Sequence, residues 1–274
     1  MGRIENVTIF EDTRHRYETE PELVAAIKRS DGAQKVIAQE DRYGVARPHY
    51  DEPAKIILSR KRSLEAAWAY RDRNVCVLNF ASATNPGGGV ERGSSAQEEC
   101  LCRCSTLYAN LSSRKPWSQF YGPHRRQRNP LYNDDCIYTP GIVVFKSDTE
   151  LPELLPAAQW WKTNVISCAA PNLRPSRDGT VRITIEDDEL RQLHVRRMRR
   201  ILDIAASEGN DVMILGAYGC GAFLNPPQIV AEAMKQVVHE YRHCFRVIEF
   251  AVYCPPGNDR NYRIFRRVFE KAAT

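Results

Sequence analysis

The residues best suited to chemistry lie in 85–99, NPGGGVERGSSAQEE, where Gly87, Gly88 and Gly89 precede a Gln97-Glu98-Glu99 triplet. A carboxyl that keeps its proton near neutrality can protonate a leaving group and then, as a carboxylate, activate water. Burial or a neighbouring negative charge holds such a proton in place. Glu98 and Glu99 are placed to open a helix through CLCRCSTLYANL, with Ser94 or Ser95 as its cap and the acids suiting the helix dipole. That position alone would explain two acids without any function. Consecutive helical residues diverge by about 100°, however, so the two carboxylates cannot do the same job. The glycines follow an apolar strand and an Asn85-Pro86 turn. Without Cβ atoms they can take positive φ and bring N–H donors close to an anion. A structural turn explains one glycine easily and three poorly.

A second glycine-rich stretch, GAYGCGAF at 216–223, leaves the most apolar run and enters a helix announced by Asn225, Pro226 and Pro227. Strand, glycine loop and helix N-terminus together form a cradle for a diphosphate, because N–H groups and helix dipole point to one place. The G-x-x-G-x-G spacing is neither the dinucleotide fingerprint nor a Walker loop. A phosphate ligand is therefore expected, and neither a nicotinamide site nor an ATPase is.

These loops need a rigid frame. Short runs rich in valine and isoleucine occur at 75–82, 142–145, 165–170, 212–218 and 247–253, alternating with helical patterns. Their continuous apolarity predicts strands covered on both faces, hence an α/β sandwich. Between residues 185 and 209, Leu190, Leu193, Met198, Ile201, Leu202 and Ala205 form a helical stripe that Gly209 can terminate. The helix after Asn225 is expected to reach about His243 (such ends are good to a few residues). Residues 1–72 show helical patterns at 20–29 and 60–71 but little strand signal. They read as an N-terminal helical extension packed on a 73–274 core, the whole forming one structural unit.

The triglycine followed after seven residues by Gln97-Glu98-Glu99 resembles the GGG-x(6 to 8)-QEE signature of poly(ADP-ribose) glycohydrolases, and the short chain resembles their bacterial type. GAYGCGAF is similar to that family's diphosphate-binding loop. The resemblance implies a three-layer α/β/α macrodomain-like mixed sheet and hydrolysis of ribose–ribose O-glycosidic bonds, releasing ADP-ribose. It implies Glu99 as general acid and then base, with Glu98 and Gln97 orienting the sugars and the catalytic side chain. It implies that Gly87, Gly88, Gly89 and Val90 wrap the distal ribose and its phosphate, and that Asn85 holds a ribose hydroxyl. Gly216, Tyr218, Gly219, Cys220, Gly221 and Ala222 would line the diphosphate, with Phe223 against the ribose. Animal-type members carry asparagine where this chain has Ser82. No cofactor or metal is implied. The expected partners are poly(ADP-ribose) or ADP-ribosylated macromolecules, with ADP-ribose as product. Two rivals share the cradle: a non-catalytic ADP-ribose reader, which has no need of a buried acid at 99, and a hydrolase of single ADP-ribose groups.

The 43% hydrophobic and 27% charged content is that of a globular protein, and no apolar run is long enough for a membrane helix. The first ten residues lack a signal-peptide core, so a cytoplasmic location with reduced cysteines is expected. Of two basic runs, HRRQR at 124–128 reads as an exposed loop able to meet a polyanion, and RRMRR at 196–200 as the solvated face of a helix. HEYRH at 239–243 fits the H-E-x-x-H zinc pattern, but it falls at a helix end with Arg242 inside it and no third ligand in view. Cys100, Cys102 and Cys104 read as small buried residues rather than ligands. Trp160 and Trp161 suit a base stack or the core equally.

Overall fold

All five apolar runs become strands, and two further strands join them at the sheet's edges. The computed structural model describes residues 2–44, 46–175 and 183–270. In chain order the elements are α1 (Arg3–Thr19), α2 (Pro21–Ala33), β1 (Lys35–Ile37), β2 (Lys55–Ser59), α3 (Ser63–Trp68), β3 (Val75–Phe80), α4 (Gln97–Cys104), α5 (Leu107–Leu111), α6 (Arg114–Pro116) and α7 (Gly122–Gln127). They continue with β4 (Cys136–Val144), β5 (Trp161–Cys168), α8 (Asp187–Ser207), β6 (Val212–Leu215), α9 (Pro227–Glu240), β7 (Val247–Ala251) and α10 (Arg260–Glu270).

The strands form one mixed sheet in the order β1-β4-β5-β3-β6-β7-β2. From β5 to β2 all neighbours are parallel, while β4 runs antiparallel to both β5 and β1. Successive residues of β3 face opposite layers, as the pleat requires. Leu78 packs with Met198 and Ile201 of α8, Met234 of α9 and Phe265 of α10. Val77 packs on the other side with Leu64 of α3, Leu101 of α4, Leu107 of α5 and Phe10 of α1. Because β3 and β6 are parallel neighbours, with Val77 opposite Ile214, the loops after Phe80 and Leu215 leave the same edge side by side. This is where a ligand crevice forms in such sheets.

Four expectations need correction. The first 72 residues are not only helical, since they supply β1 and β2, the two edge strands of the sheet. The helix opened by the acids is not continuous. It stops at Cys104, whose carbonyl accepts the N–H groups of Phe145 and Lys146, while Ser105 turns extended and bridges Val144. Nor does a serine cap it: the N-cap is Ala96, without a side-chain bond, and the Ser94 carbonyl accepts from Arg103. The third concerns the basic runs. Residues 124–127 lie in α7, with His124 buried and bonded to the Phe120 carbonyl and Asn133. The 196–200 run is a solvated face only in part: Arg196 and Arg199 are exposed, though bonded to Asp134 and bidentate to Glu240, whereas Arg197 is fully buried on Asp134 and the carbonyls of Ala169 and Leu131. The fourth is that α9 starts at Pro227 and ends at Glu240, with Pro226 rather than Asn225 at its N-cap.

Candidate active site

Helix α4 begins at Gln97 because that side chain is pinned to the central strand. Its Oε1 accepts the Phe80 N–H at 2.9 Å, and its Nε2 donates to the Leu78 carbonyl at 2.8 Å and to Ser63 Oγ at 3.0 Å. Both ends of the amide are thus engaged, so Gln97 anchors α4 to β3 and α3.

The next two residues diverge as helical geometry requires. Glu98 is 3% exposed and Glu99 7%. Glu98 Oε2 accepts the Ser82 N–H at 2.7 Å and its Oε1 accepts from Asn79 Nδ2 at 3.2 Å. Glu99 Oε1 accepts the Gly89 N–H at 2.8 Å, whereas its Oε2 is buried with no partner among the described residues. Gly88 lies between the two acids at φ +62°, and a Cβ there would stand 2.6 Å from Glu99 Oε1 and 3.0 Å from Glu98 Oε2. Only glycine fits a left-handed residue with two carboxyls pressed against its Cα.

Burial pushes the Glu98 carboxyl up to about 8; the Ser82 N–H pulls it back, the Glu99 charge adds to the rise, and Asn79 and the Gly87 N–H oppose it. A carboxyl raised from 4.5 to about 8 on folding binds more protons in the native state across that window, so its contribution to stability is lost as pH rises through it. Thermal melts of wild type and Glu98→Gln between pH 5 and 9 should therefore show the wild type losing its advantage over the variant, by on the order of several °C. A difference that stays constant with pH would contradict a raised carboxyl at 98.

The second loop is held from below. Asn225, buried, donates through Nδ2 to the carbonyls of Pro171 at 2.7 Å and Gly219 at 3.1 Å, and accepts from His194 Nε2 at 2.9 Å. Burial lowers His194 to about 4, which keeps it neutral, and the Asn225 Oδ1 partner makes its Nε2 the donor. Gly219 sits at φ +77°, where a Cβ would meet Ala170 at 2.6 Å and Asn225 Nδ2 at 2.7 Å. Gly221 and Ala222 are exposed, Cys220 and Phe223 half-buried. Tyr132 lies 6.2 Å from the Phe223 ring and 5.9 Å from His124, which ties the second loop to α7.

The structure brings the first loop and both acids together and sets the second loop on the adjacent strand. Val90 and Tyr218 turn their side chains into the core, Val90 with Leu101 and Tyr218 against Phe80 and His194, so each can offer a ligand only backbone. Gly216 is packed against the Ala251 carbonyl and the Phe80 ring. Asn85 is already occupied, its Oδ1 accepting from Arg125 Nη2 at 2.7 Å. Sequence patterns gave no sign of Asn79 or Tyr132, and of Arg125 only that it lies in a basic run, because tertiary contacts bring them in.

The remaining motifs resolve into structure. His239 and Glu240 close α9, Glu240 pairs with Arg199, and His243 lies beyond the helix with Nδ1 on the Tyr50 carbonyl at 3.0 Å. No cluster of metal-binding side chains occurs among the described residues. Cys102 and Cys104 are buried thiols pushed well up by burial. Trp160 packs on Phe145 and Trp161 on Trp68.

The family model for the microbial-type PARG catalytic domain matches residues 6–147, which include α4 and the triglycine loop. This chain belongs to that family. Microbial poly(ADP-ribose) glycohydrolases are glycosidases, and this enzyme hydrolyses poly(ADP-ribose). Its fold is similar to the crystal structure of the glycohydrolase from Thermomonospora curvata, with 30% identity and a TM-score of 0.83 over 96% of this chain and 99% of that one. The same Thermomonospora enzyme bound to the inhibitor ADP-HPD gives 28% identity and a TM-score of 0.79, over 96% and 98% of the two chains. The Deinococcus radiodurans glycohydrolase in complex with ADP-ribose gives 30% identity and a TM-score of 0.77, over 89% and 96%. A comparison with curated proteins gives no match. The mixed sheet between helix layers is the macrodomain-like architecture of these glycohydrolases, and no helix among the described residues is long and apolar enough to cross a membrane.

Proposed function

We propose that Glu99 carries the proton in poly(ADP-ribose) hydrolysis and that the two glycine loops seat the terminal ADP-ribose unit for it. The observation that supports this most is the division of labour within the Glu99 carboxyl. One oxygen is fixed by the Gly89 N–H and the other is buried and unpaired. A buried polar atom without a partner is costly, and it is retained where a substrate atom completes the pairing.

In this reading the diphosphate lies on the N–H groups of Gly219, Cys220 and Gly221, at the entry to α9, and Phe223 packs on the distal ribose. Gly87, Gly88 and Gly89 bring backbone against the same sugar. Glu99 gives its proton to the ribose 2′-oxygen as the bond from ribosyl C1 to that oxygen breaks, leaving positive charge shared between C1 and the ring oxygen. Water then adds to C1, and the Glu99 carboxylate takes the proton that the water loses. The products are ADP-ribose and a polymer shortened by one unit with a free 2′-hydroxyl. Glu98 braces the turn by accepting the Ser82 N–H, and Gln97 fixes the start of the helix.

The cytoplasm suits this chain, since every cysteine among the described residues is unpaired, as in a reducing compartment. The direct test is incubation with purified polymer while free ADP-ribose is followed by chromatography, with Glu99→Gln in parallel. Release by the wild type supports the reading. Tight binding of polymer without release would make the chain a reader.

A further inference from the structure

With Glu99 protonating the departing 2′-oxygen as proposed above, the rest of the polymer leaves beside the triglycine loop, since Glu99 is bonded to Gly89. One arginine bonds the approach to this loop, and two more lie on the neighbouring segments. Arg125 of α7 donates through Nε to the Thr84 carbonyl at 2.6 Å and through Nη2 to Asn85 at 2.7 Å, and its guanidinium lies 4.8 Å from the Trp117 ring centre. Arg128 follows at the end of α7, exposed, in a left-handed conformation at φ 51°, with no ion pair or side-chain hydrogen bond among the described residues. Arg174, also exposed, lies 5.5 Å from the Phe223 ring centre. The two flanking segments are stitched together, since Asn172 N–H donates to the Pro130 carbonyl at 2.8 Å and Leu173 N–H to the Phe223 carbonyl at 2.9 Å.

We propose that Arg128 and Arg174, flanking the Arg125 clamp, form a cationic exit track that holds the diphosphate of the penultimate ADP-ribose unit. This rests on the seating of the terminal unit proposed above. In that seating the unit's own diphosphate is held by backbone N–H groups, which leaves for the next one the exposed guanidinium of Arg128 and that of Arg174, of which only Nε is engaged among the described residues, by Asn172 Oδ1 at 3.2 Å. The next diphosphate is only one ribose removed from the departing oxygen, and arginine's planar fork matches phosphate geometry. Their exposure makes the interaction sensitive to salt.

The test compares wild type with the double variant Arg128→Asn and Arg174→Gln. Asparagine tolerates the left-handed backbone at 128, so the exchange removes charge without strain. The expected result is a roughly three- to tenfold rise in KM for long polymer at low salt, as for two exposed ion pairs. The slope of log KM against log salt should flatten by about 1.4, as for two phosphate contacts on a single strand. The kcat and the affinity for free ADP-ribose should not change, and removing two charges from α2, by Lys28→Gln and Arg29→Gln, should leave KM as it is. Unchanged KM in the rim variant with normal ADP-ribose binding would overturn the track, as would an equal rise in the α2 variant. Failure of the wild type to bind ADP-ribose or release it from polymer would instead overturn the seating on which the track depends.

Discussion

Glu99→Gln is expected to bind ADP-ribose and polymer as tightly as the wild type and to release ADP-ribose about 10² to 10⁴ times more slowly, the usual worth of general acid–base help. The exchange is nearly isosteric. Glutamine keeps an oxygen for the Gly89 N–H, which donates to Glu99 Oε1 at 2.8 Å in the wild type, so the triglycine loop stays in place. What disappears is a carboxyl oxygen able to exchange a proton with the substrate, the one buried without a partner among the described residues. Loss confined to kcat marks an interaction made in the transition state, whereas a rise in KM alone would mark simple binding. Steady-state release of ADP-ribose together with calorimetric titration of the product separates the two. A variant that cleaves at the wild-type rate would remove Glu99 from the mechanism.

Gly88→Ala is expected to lower kcat about a hundredfold while the protein remains folded. The added methyl would fall 2.6 Å from Glu99 Oε1 and 3.1 Å from its Cδ, at a residue whose φ is +62°. Alanine in that conformation costs about 1–2 kcal/mol, and the carboxyl must also move away. A shift of about 1 Å at a reacting group is enough for a loss of that size. Melting should fall by a few degrees at most, at roughly 2–4 °C per kcal/mol. Gly32→Ala in α2, where nothing lies within 4 Å of the new Cβ, serves as the control and should leave rate and stability near wild type. Full activity in Gly88→Ala would mean that the acids need not sit where they do.

The sheet was legible because β3, β6, most of β7 and the 165–168 half of β5 are buried on both faces and therefore read as mainly apolar runs. α1 was not, because its buried face is half polar. Asn6 and Thr13 lie beside Phe10 and Tyr17, and their side chains satisfy the carbonyls of Gly93 and Arg103. The edge strands β1 and β2 are short and partly exposed, with too few apolar residues to signal a strand. At the site, the two glycine loops and the paired acids could be found from sequence because their spacing is local. The anchoring of α4 by Gln97 was not visible, and Asn225 looked like a cap but holds the loop from below. Both differences arise from partners far along the chain, Leu78 and Phe80 for the first, Pro171 and His194 for the second. The cationic rim was half visible as the HRRQR run. Its role depends on α7 being carried to Asn85 and on Arg174 arriving from beyond β5, which no local pattern records.

A crystal structure of Glu99→Gln with ADP-ribose addresses the geometry most directly. The oxygen on C1 of the distal ribose should lie within about 2.6–3.2 Å of the side chain at 99, with the diphosphate on the N–H groups of residues 219–221. A sugar bound with C1 facing away from that side chain, or a diphosphate resting elsewhere, would contradict it.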